Sequence, residues 1–164
     1  EGLAAALSST LGSGSGVFRS GTQLNNMLGE LDVIGSEKKA AGERLASMMT
    51  PTLVLRDGGP ELVVGSAGSV RLAGAIAQVV WRIVSGEHVE DAIRAPRLHV
   101  EGVTVQLEGG WPDSVVATLP ASWDVNRWGD LNLYFGGVQA VHREGDVLEA
   151  AGDPRRGGAG IVVE

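Results

Sequence analysis

The chain has 164 residues, enough for one domain with a buried core. A formal charge of -7 without any basic stripe excludes nucleic acid or an anionic membrane surface as the main partner, since Lys38-Lys39 and Arg155-Arg156 are the only adjacent basic pairs. The absence of cysteine excludes a disulfide framework, a thiol nucleophile and thiolate metal ligands.

His88, His99 and His142 are scattered in no metal-ligand spacing, so no metal or other cofactor is expected. No apolar run reaches transmembrane length, and no signal-peptide pattern is present, as is also true of a chain that has lost one. The 25 glycines favour tight turns and short strands.

In chain order, Glu1-Gly2 has hairpin-turn chemistry, and Leu3 to Thr10 reads as a buried strand, so the chain is expected to open inside a hairpin, as a fragment or processed subunit would. Gly12-Ser13-Gly14-Ser15-Gly16 shows no composition shift across it and is expected to be a loop within the domain. Gly35 to Glu43 lacks an apolar stripe and is expected to be a surface loop. Thr52 to Arg56 and Glu61 to Val64 form a hairpin across Asp57-Gly58-Gly59-Pro60.

From Val70 the period changes. Val70, Ala73, Ile76, Ala77, Val80, Ile83 and Val84 recur at steps of three and four, which predicts a helix closed by Gly86. Leu72, Val79 and Trp81 widen its apolar surface, so cover on most sides is expected. A short helix over Val89 to Arg94 ends before Pro96. Then follow a strand at Val103 to Leu107, a helix at Pro112 to Leu119, and a strand region at Asn132 to His142 interrupted by Gly136-Gly137. Val147 to Ala151 pairs with that region across Glu144-Gly145-Asp146. No internal repeat or domain boundary is visible. The expected class is α+β with a mostly antiparallel sheet system.

The stretch "LVVGSAGSVR", Leu62 to Arg71, joins a strand through a glycine-rich turn to a helix N-terminus, an arrangement that binds anions in many proteins. Spacing removes the nucleotide motifs. No lysine follows Gly68 as a P-loop needs, and Gly65 with Gly68 gives only Gly-x-x-Gly where a dinucleotide fingerprint has three glycines. Two readings stay open: the glycines only turn the chain into the helix, or the free N–H groups form an oxyanion hole. An oxyanion hole needs a nucleophile, and without cysteine that would be a hydroxyl activated by a base or by a terminal amine. Ser13 and Ser15 sit among glycines, but no helix pattern follows them, so neither occupies a nucleophile elbow.

Seven stretches, in order, carry a resemblance over nearly the whole chain: "SSTLGSGSGV", "LNNMLGELD", "GERLASMMTPTLVL", "LVVGSAGSVR", "EDAIRAPRLH", "NLYFGGVQAV" and "AAGDPRRGGAG". Together they resemble the C-terminal small subunit of the γ-glutamyltranspeptidases (glutathione hydrolases), which are N-terminal-nucleophile hydrolases. The resemblance implies a four-layer αββα sandwich built jointly with a large subunit cut from the same precursor. It also implies a self-processed N-terminal threonine whose own amine serves as base. That threonine would lie upstream of Glu1, so this chain alone is expected to be inactive. The substrates would be γ-glutamyl amides such as glutathione, and the compartment periplasmic or extracellular.

Residue by residue, the resemblance implies that Gly68 and Ser69 form the oxyanion hole, with serine where the family has a second glycine. Thr10 would orient the nucleophile, Glu30 would pair with the substrate α-amino group, and Ser47 would hold its α-carboxylate. Met48 replaces the second carboxylate-binding serine, and Met27 replaces a polar contact to the amino group. An asparagine contact is lost within Gly12-Ser13, and the lid, about Val33 to Gly42, is short. These departures put γ-glutamyl selectivity in question and leave open a related amidase, such as a cephalosporin-acylase-like enzyme, or a non-catalytic member of the fold.

Overall fold

Hairpin turns set the framework of the sheet. The computed structural model describes residues 2–35 and 40–163. A small hairpin, β1 (Phe18–Arg19) with β2 (Thr22–Gln23), follows the Gly12 to Gly16 loop, and a single helical turn, α1 (Leu31–Ile34), comes after it. Strands β3 (Thr52–Arg56) and β4 (Gly59–Ala67) pair around Asp57 and Gly58, both at positive φ (52° and 81°). That is the two-residue turn whose twist matches the strands, tighter than the four-residue spacing suggests. Helix α2 (Leu72–Val84) and helix α3 (Val89–Arg94) come next, with Gly86 at φ 98° just past the end of α2.

The second half adds β5 (Leu98–Glu101), β6 (Thr104–Leu107), α4 (Asp113–Val116) and β7 (Asp124–Arg127), then β8 (Gly137–Glu144) and β9 (Val147–Gly152). The main sheet has the order β3-β4-β8-β9 and is antiparallel throughout, while β5-β6-β7 forms a smaller sheet. The architecture is α+β, as expected from the hairpins.

The core lies between one face of the main sheet and two helices. Leu62, Val64, Val138 and Ala140 meet Ala75, Ile76, Val79 and Ile83 of α2 and Val89, Ala92 and Ile93 of α3. Each of the larger aliphatic side chains contributes about 1.5–3 kcal/mol on full burial. Period-2 alternation leaves Val63, Gly65, Gln139 and Val141 on the opposite face, where they border a cavity.

Several expectations are corrected. Leu3 to Thr10 forms no ladder, and Leu3 and Leu7 are 95% and 90% exposed. Alternation is present, with Ala4, Ala6 and Ser8 half-buried, but no strand among the described residues offers its backbone partners. α2 begins at Leu72, after a 3-10 turn at Ser69–Arg71, and its buried face is Leu72, Ala75, Ile76, Val79 and Ile83. Val70 and Val84 are exposed, and Trp81 is 72% exposed, so the helix is not covered on most sides. Two overlapping stripes satisfy the same period, and the position of β4 and β8 selects between them.

The helix expected over Pro112 to Leu119 contracts to α4, and Leu133–Phe135 is a 3-10 turn preceding β8. β5 has no counterpart among the expected elements. Every residue of β7 is exposed, and the strand runs parallel to β6, an exception to the antiparallel pattern. Residues 36–39, which hold the Lys38-Lys39 pair and the middle of the lid expected over Val33 to Gly42, lie outside the described residues.

Candidate active site

The glycine-rich stretch is mostly strand. Gly65, Ser66 and Ala67 continue β4 by pairing with Gln139, Val138 and Gly137 of β8, so the turn begins only at Gly68. Gly68 has φ 142° and Ser69 φ 56°. The Ser69 conformation costs a residue other than glycine about 1–3 kcal/mol, a strain retained where the surroundings impose it. A Cβ added at Gly68 would stand 2.8 Å from the Cα of Gly136, so only glycine fits there. Neither the Gly68 nor the Ser69 N–H donates to an acceptor among the described residues, although Gly68 is buried. Two adjacent unpaired donors ahead of a 13-residue helix make a place for negative charge.

These two residues border a cavity of about 790 Å³, and Thr10, Glu30 and Ser47 line the same cavity. Residues far apart in the chain are therefore brought together. The Thr10 hydroxyl accepts from the Gly12 N–H at 3.1 Å, and the Ser47 hydroxyl accepts from the Met49 N–H at 3.2 Å. Glu30 Oε1 accepts from the Ser13 N–H at 3.0 Å and from the Ser13 hydroxyl at 2.8 Å. Asn26 Oδ1 also accepts from the Ser13 N–H, at 2.8 Å, and would obstruct a Cβ at Gly12. The Gly12-Ser13 loop thus closes onto Glu30, and a larger residue at position 12 would adopt φ 63° and displace the Asn26 and Glu30 side chains from these bonds. Met27, Met48 and Met49, the three methionines of the chain, also line the cavity.

Sequence reasoning assigns no role to the arginines. Arg71 and Arg156 line the cavity too. Arg155 and Arg156, adjacent in sequence, separate completely: the Arg155 side chain is fully buried, whereas Arg156 is exposed. Arg155 donates to both oxygens of buried Glu108 at 2.7 and 2.6 Å and to Asp153 Oδ1 at 3.2 Å. Arg97 donates to Asp153 Oδ2 at 2.6 Å, completing a buried set of two cations and two anions. Burial tends to raise the Asp153 carboxyl, but Arg97 and the N–H groups of Val138 and Arg155 outweigh it and hold it below the usual carboxylate range. Burial lowers the Arg97 guanidinium from its ordinary value. The sequence signal for this cluster is the stretch "GDPRRGG", whose buried and exposed arginines look alike in one dimension.

Among the described residues, no group of three His, Asp or Glu side chains is arranged to hold a metal, and no helix is long and apolar enough to cross a membrane.

The family model for gamma-glutamyltranspeptidase matches residues 1–163. A glutathione hydrolase proenzyme of Pseudomonas aeruginosa is 34% identical over 140 residues, which cover 80% of this chain and 25% of that protein. The glutathione hydrolase 5 proenzyme of Mus musculus is 30% identical over 173 residues, covering 96% of this chain and 30% of that protein. The chain therefore spans only about a quarter to a third of these curated relatives. The solved gamma-glutamyltranspeptidase of Pseudomonas nitroreducens superposes with a TM-score of 0.79 at 29% identity, covering 99% of this chain and 95% of the matched one. The α+β arrangement is accordingly that of an N-terminal-nucleophile hydrolase, and the chain belongs to the gamma-glutamyltranspeptidase family.

Proposed function

We propose that residues 1–164 form the small-subunit portion of an enzyme that cleaves γ-glutamyl amides such as glutathione and passes the acyl group to water or an amine. The observation that carries this reading is the meeting of Thr10, Glu30, Ser47, Gly68 and Ser69 at one cavity. A threonine upstream of Glu1 supplies the nucleophile, and the large subunit of the same precursor completes the site. The threonine hydroxyl adds to the γ-carbonyl carbon while its proton passes to the α-amine. The oxyanion rests against the Gly68 and Ser69 N–H groups, where fixed dipoles need no reorganisation as charge develops. Collapse breaks the C–N bond, and the ammonium returns its proton to the leaving amine. Water or an acceptor amine then attacks the ester and releases the threonine.

Glu30 receives the substrate ammonium, Ser47 its carboxylate, and Thr10 orients the nucleophile. A periplasmic or extracellular location belongs to the same proposal. The test is γ-glutamyl-p-nitroanilide hydrolysis by the full gene product, with the processing threonine intact or replaced by alanine. Release of nitroaniline only by the intact protein supports the reading, and a gene with no threonine at the processing position would turn it toward a non-catalytic member of the fold.

Met27 and Met48, which both line the cavity, favour a second reading, an amidase for an acyl group that lacks the α-amine, such as glutaryl. A thioether offers a polarizable apolar wall and no strong acceptor for an ammonium. Hydrolysis of glutaryl-p-nitroanilide in preference to the γ-glutamyl compound would select it.

A further inference from the structure

Three consecutive carbonyls of the 3-10 turn ahead of β8, those of Leu133, Tyr134 and Phe135, each accept from a different arginine. Arg156 Nη2 reaches Leu133 O at 3.1 Å, Arg71 Nε reaches Tyr134 O at 2.6 Å, and Arg97 Nη1 reaches Phe135 O at 3.1 Å. The Tyr134 ring also lies under the Arg71 guanidinium, 4.2 Å from centroid to Cζ. The Arg71 N–H donates to Gly68 O and closes the turn that begins there, so one end of the oxyanion turn is tied to this platform. The other end touches it directly, because Gly68 abuts Gly136, the residue that follows Phe135.

Gly136 is itself held from both sides by one buried ion pair. Arg97 takes the carbonyl before it, and Asp153 Oδ2 accepts from the Val138 N–H at 2.9 Å. Glu108 Oε1 accepts from the Asn132 N–H at 2.8 Å and so fixes the start of the same segment. At φ 88°, Gly136 sits where an added Cβ would stand 3.0 Å from Ala67 O and 3.2 Å from the Ala75 Cβ.

We propose that the Arg97–Asp153 pair, supported by Glu108 and Arg155, is a positioning device that sets the oxyanion turn at Gly68 and Ser69 through Gly136. This rests on the oxyanion role given to that turn under the proposed function. None of the four side chains needs to meet substrate. They act by locating a backbone segment against which the donors are registered, and a rigid support is what keeps such donors aimed at a charge that exists only in the transition state.

The test uses the full processed enzyme with Arg97→Lys and Gly136→Ala. Arg97→Lys keeps the charge opposite Asp153 but loses the planar fork that also serves Phe135 O. Gly136→Ala leaves the ion pair whole and presses a Cβ, at positive φ, against Ala67 O just ahead of the turn and against Ala75 of α2. Glu61→Gln, on the far hairpin, is the control. Both test variants should lower kcat for γ-glutamyl-p-nitroanilide by about tenfold to a hundredfold with KM little changed. They should also speed hydrogen exchange in the peptide covering residues 66–72, while the 52–56 peptide stays as in the parent. A rise in KM with kcat unchanged, or unaltered exchange at 66–72 in both variants, overturns the proposal. If the parent enzyme does not turn over the anilide, the functional reading fails, and the exchange measurement still decides the coupling by itself.

Discussion

Replacing Glu30 by glutamine, and separately by alanine, separates its contact with Ser13 from the pairing with a substrate ammonium proposed for it. In the structure Oε1 is occupied by the Ser13 N–H and hydroxyl, at 3.0 and 2.8 Å, while the side chain borders the cavity. Glutamine retains an oxygen that can accept from Ser13 but loses the charge offered to a substrate ammonium. A hydrogen bond to a charged group is worth about 1.5–3 kcal/mol, so Glu30→Gln should reduce kcat/KM for γ-glutamyl-p-nitroanilide by about 10- to 150-fold. Glutaryl-p-nitroanilide, which has no α-amine, should lose less than about threefold, since an exposed neutral contact is worth only a fraction of this. Glu30→Ala also releases Ser13 and the Gly12 loop beside Thr10, and should therefore harm both substrates. The assay is steady-state kinetics of the full processed enzyme on the two anilides. Equal losses on both substrates for Glu30→Gln would refute the pairing of Glu30 with the amino group.

Met48→Ser places a hydroxyl beside Ser47 and should improve kcat/KM for substrates bearing an α-carboxylate by about 2- to 12-fold, with no gain for analogues lacking it, as one neutral hydrogen bond of about 0.5–1.5 kcal/mol allows. Gly109→Ala should lower the melting temperature by about 2–12 °C, since its Cβ would enter the Gly129 backbone, whereas Gly74→Ala, with open space on α2, should raise it slightly. His88 Nδ1 lies 2.8 Å from Glu149 Oε1, and that contact raises the imidazole above its ordinary range while lowering the carboxyl, which also accepts from the Val89 N–H. The His88 contribution is complete below the unfolded imidazole value and is lost as pH rises through the folded one. The Glu149 contribution is present above the unfolded carboxyl value and is lost as pH falls through the folded one. The pair thus acts together at weakly acidic pH, and the midpoint of His88 in an NMR titration should move downward in Glu149→Gln.

Much of the framework is legible in the chain because it is local. Asp57-Gly58 permits the positive φ values of a tight hairpin, Pro96 limits α3, and Gly86 allows the chain to leave α2. The elements that escape such a reading are those whose partners are distant. β7 is polar at three of its four positions and exposed on every residue, so neither period nor composition marks it, and only its pairing with β6 makes it a strand. Leu3 to Thr10 has a strand pattern but lacks a neighbour among the described residues, so the pattern alone does not bury it.

The candidate site divides in the same way. Sequence landmarks mark Thr10, Glu30, Ser47, Gly68 and Ser69 as candidates, because a family resemblance keeps the order of such positions even where, as at Ser69, the residue type differs. Their convergence on one cavity is tertiary, and one wall of that cavity is made by β4 and β8 pairing through Gly65 to Ala67, a contact between strands well separated in the chain. The arginines show the limit most clearly. Arg155 and Arg156 are neighbours of identical chemistry, yet one is sealed against Glu108 and Asp153 while the other borders the cavity. Turn residues, helix period and family landmarks are written in the chain itself, since each depends on residues close together in it or on their order. Which face of α2 is buried, which arginine is paired and how the turn at Gly68 and Ser69 is supported follow from folding, because burial and charge pairing are properties of neighbours in space.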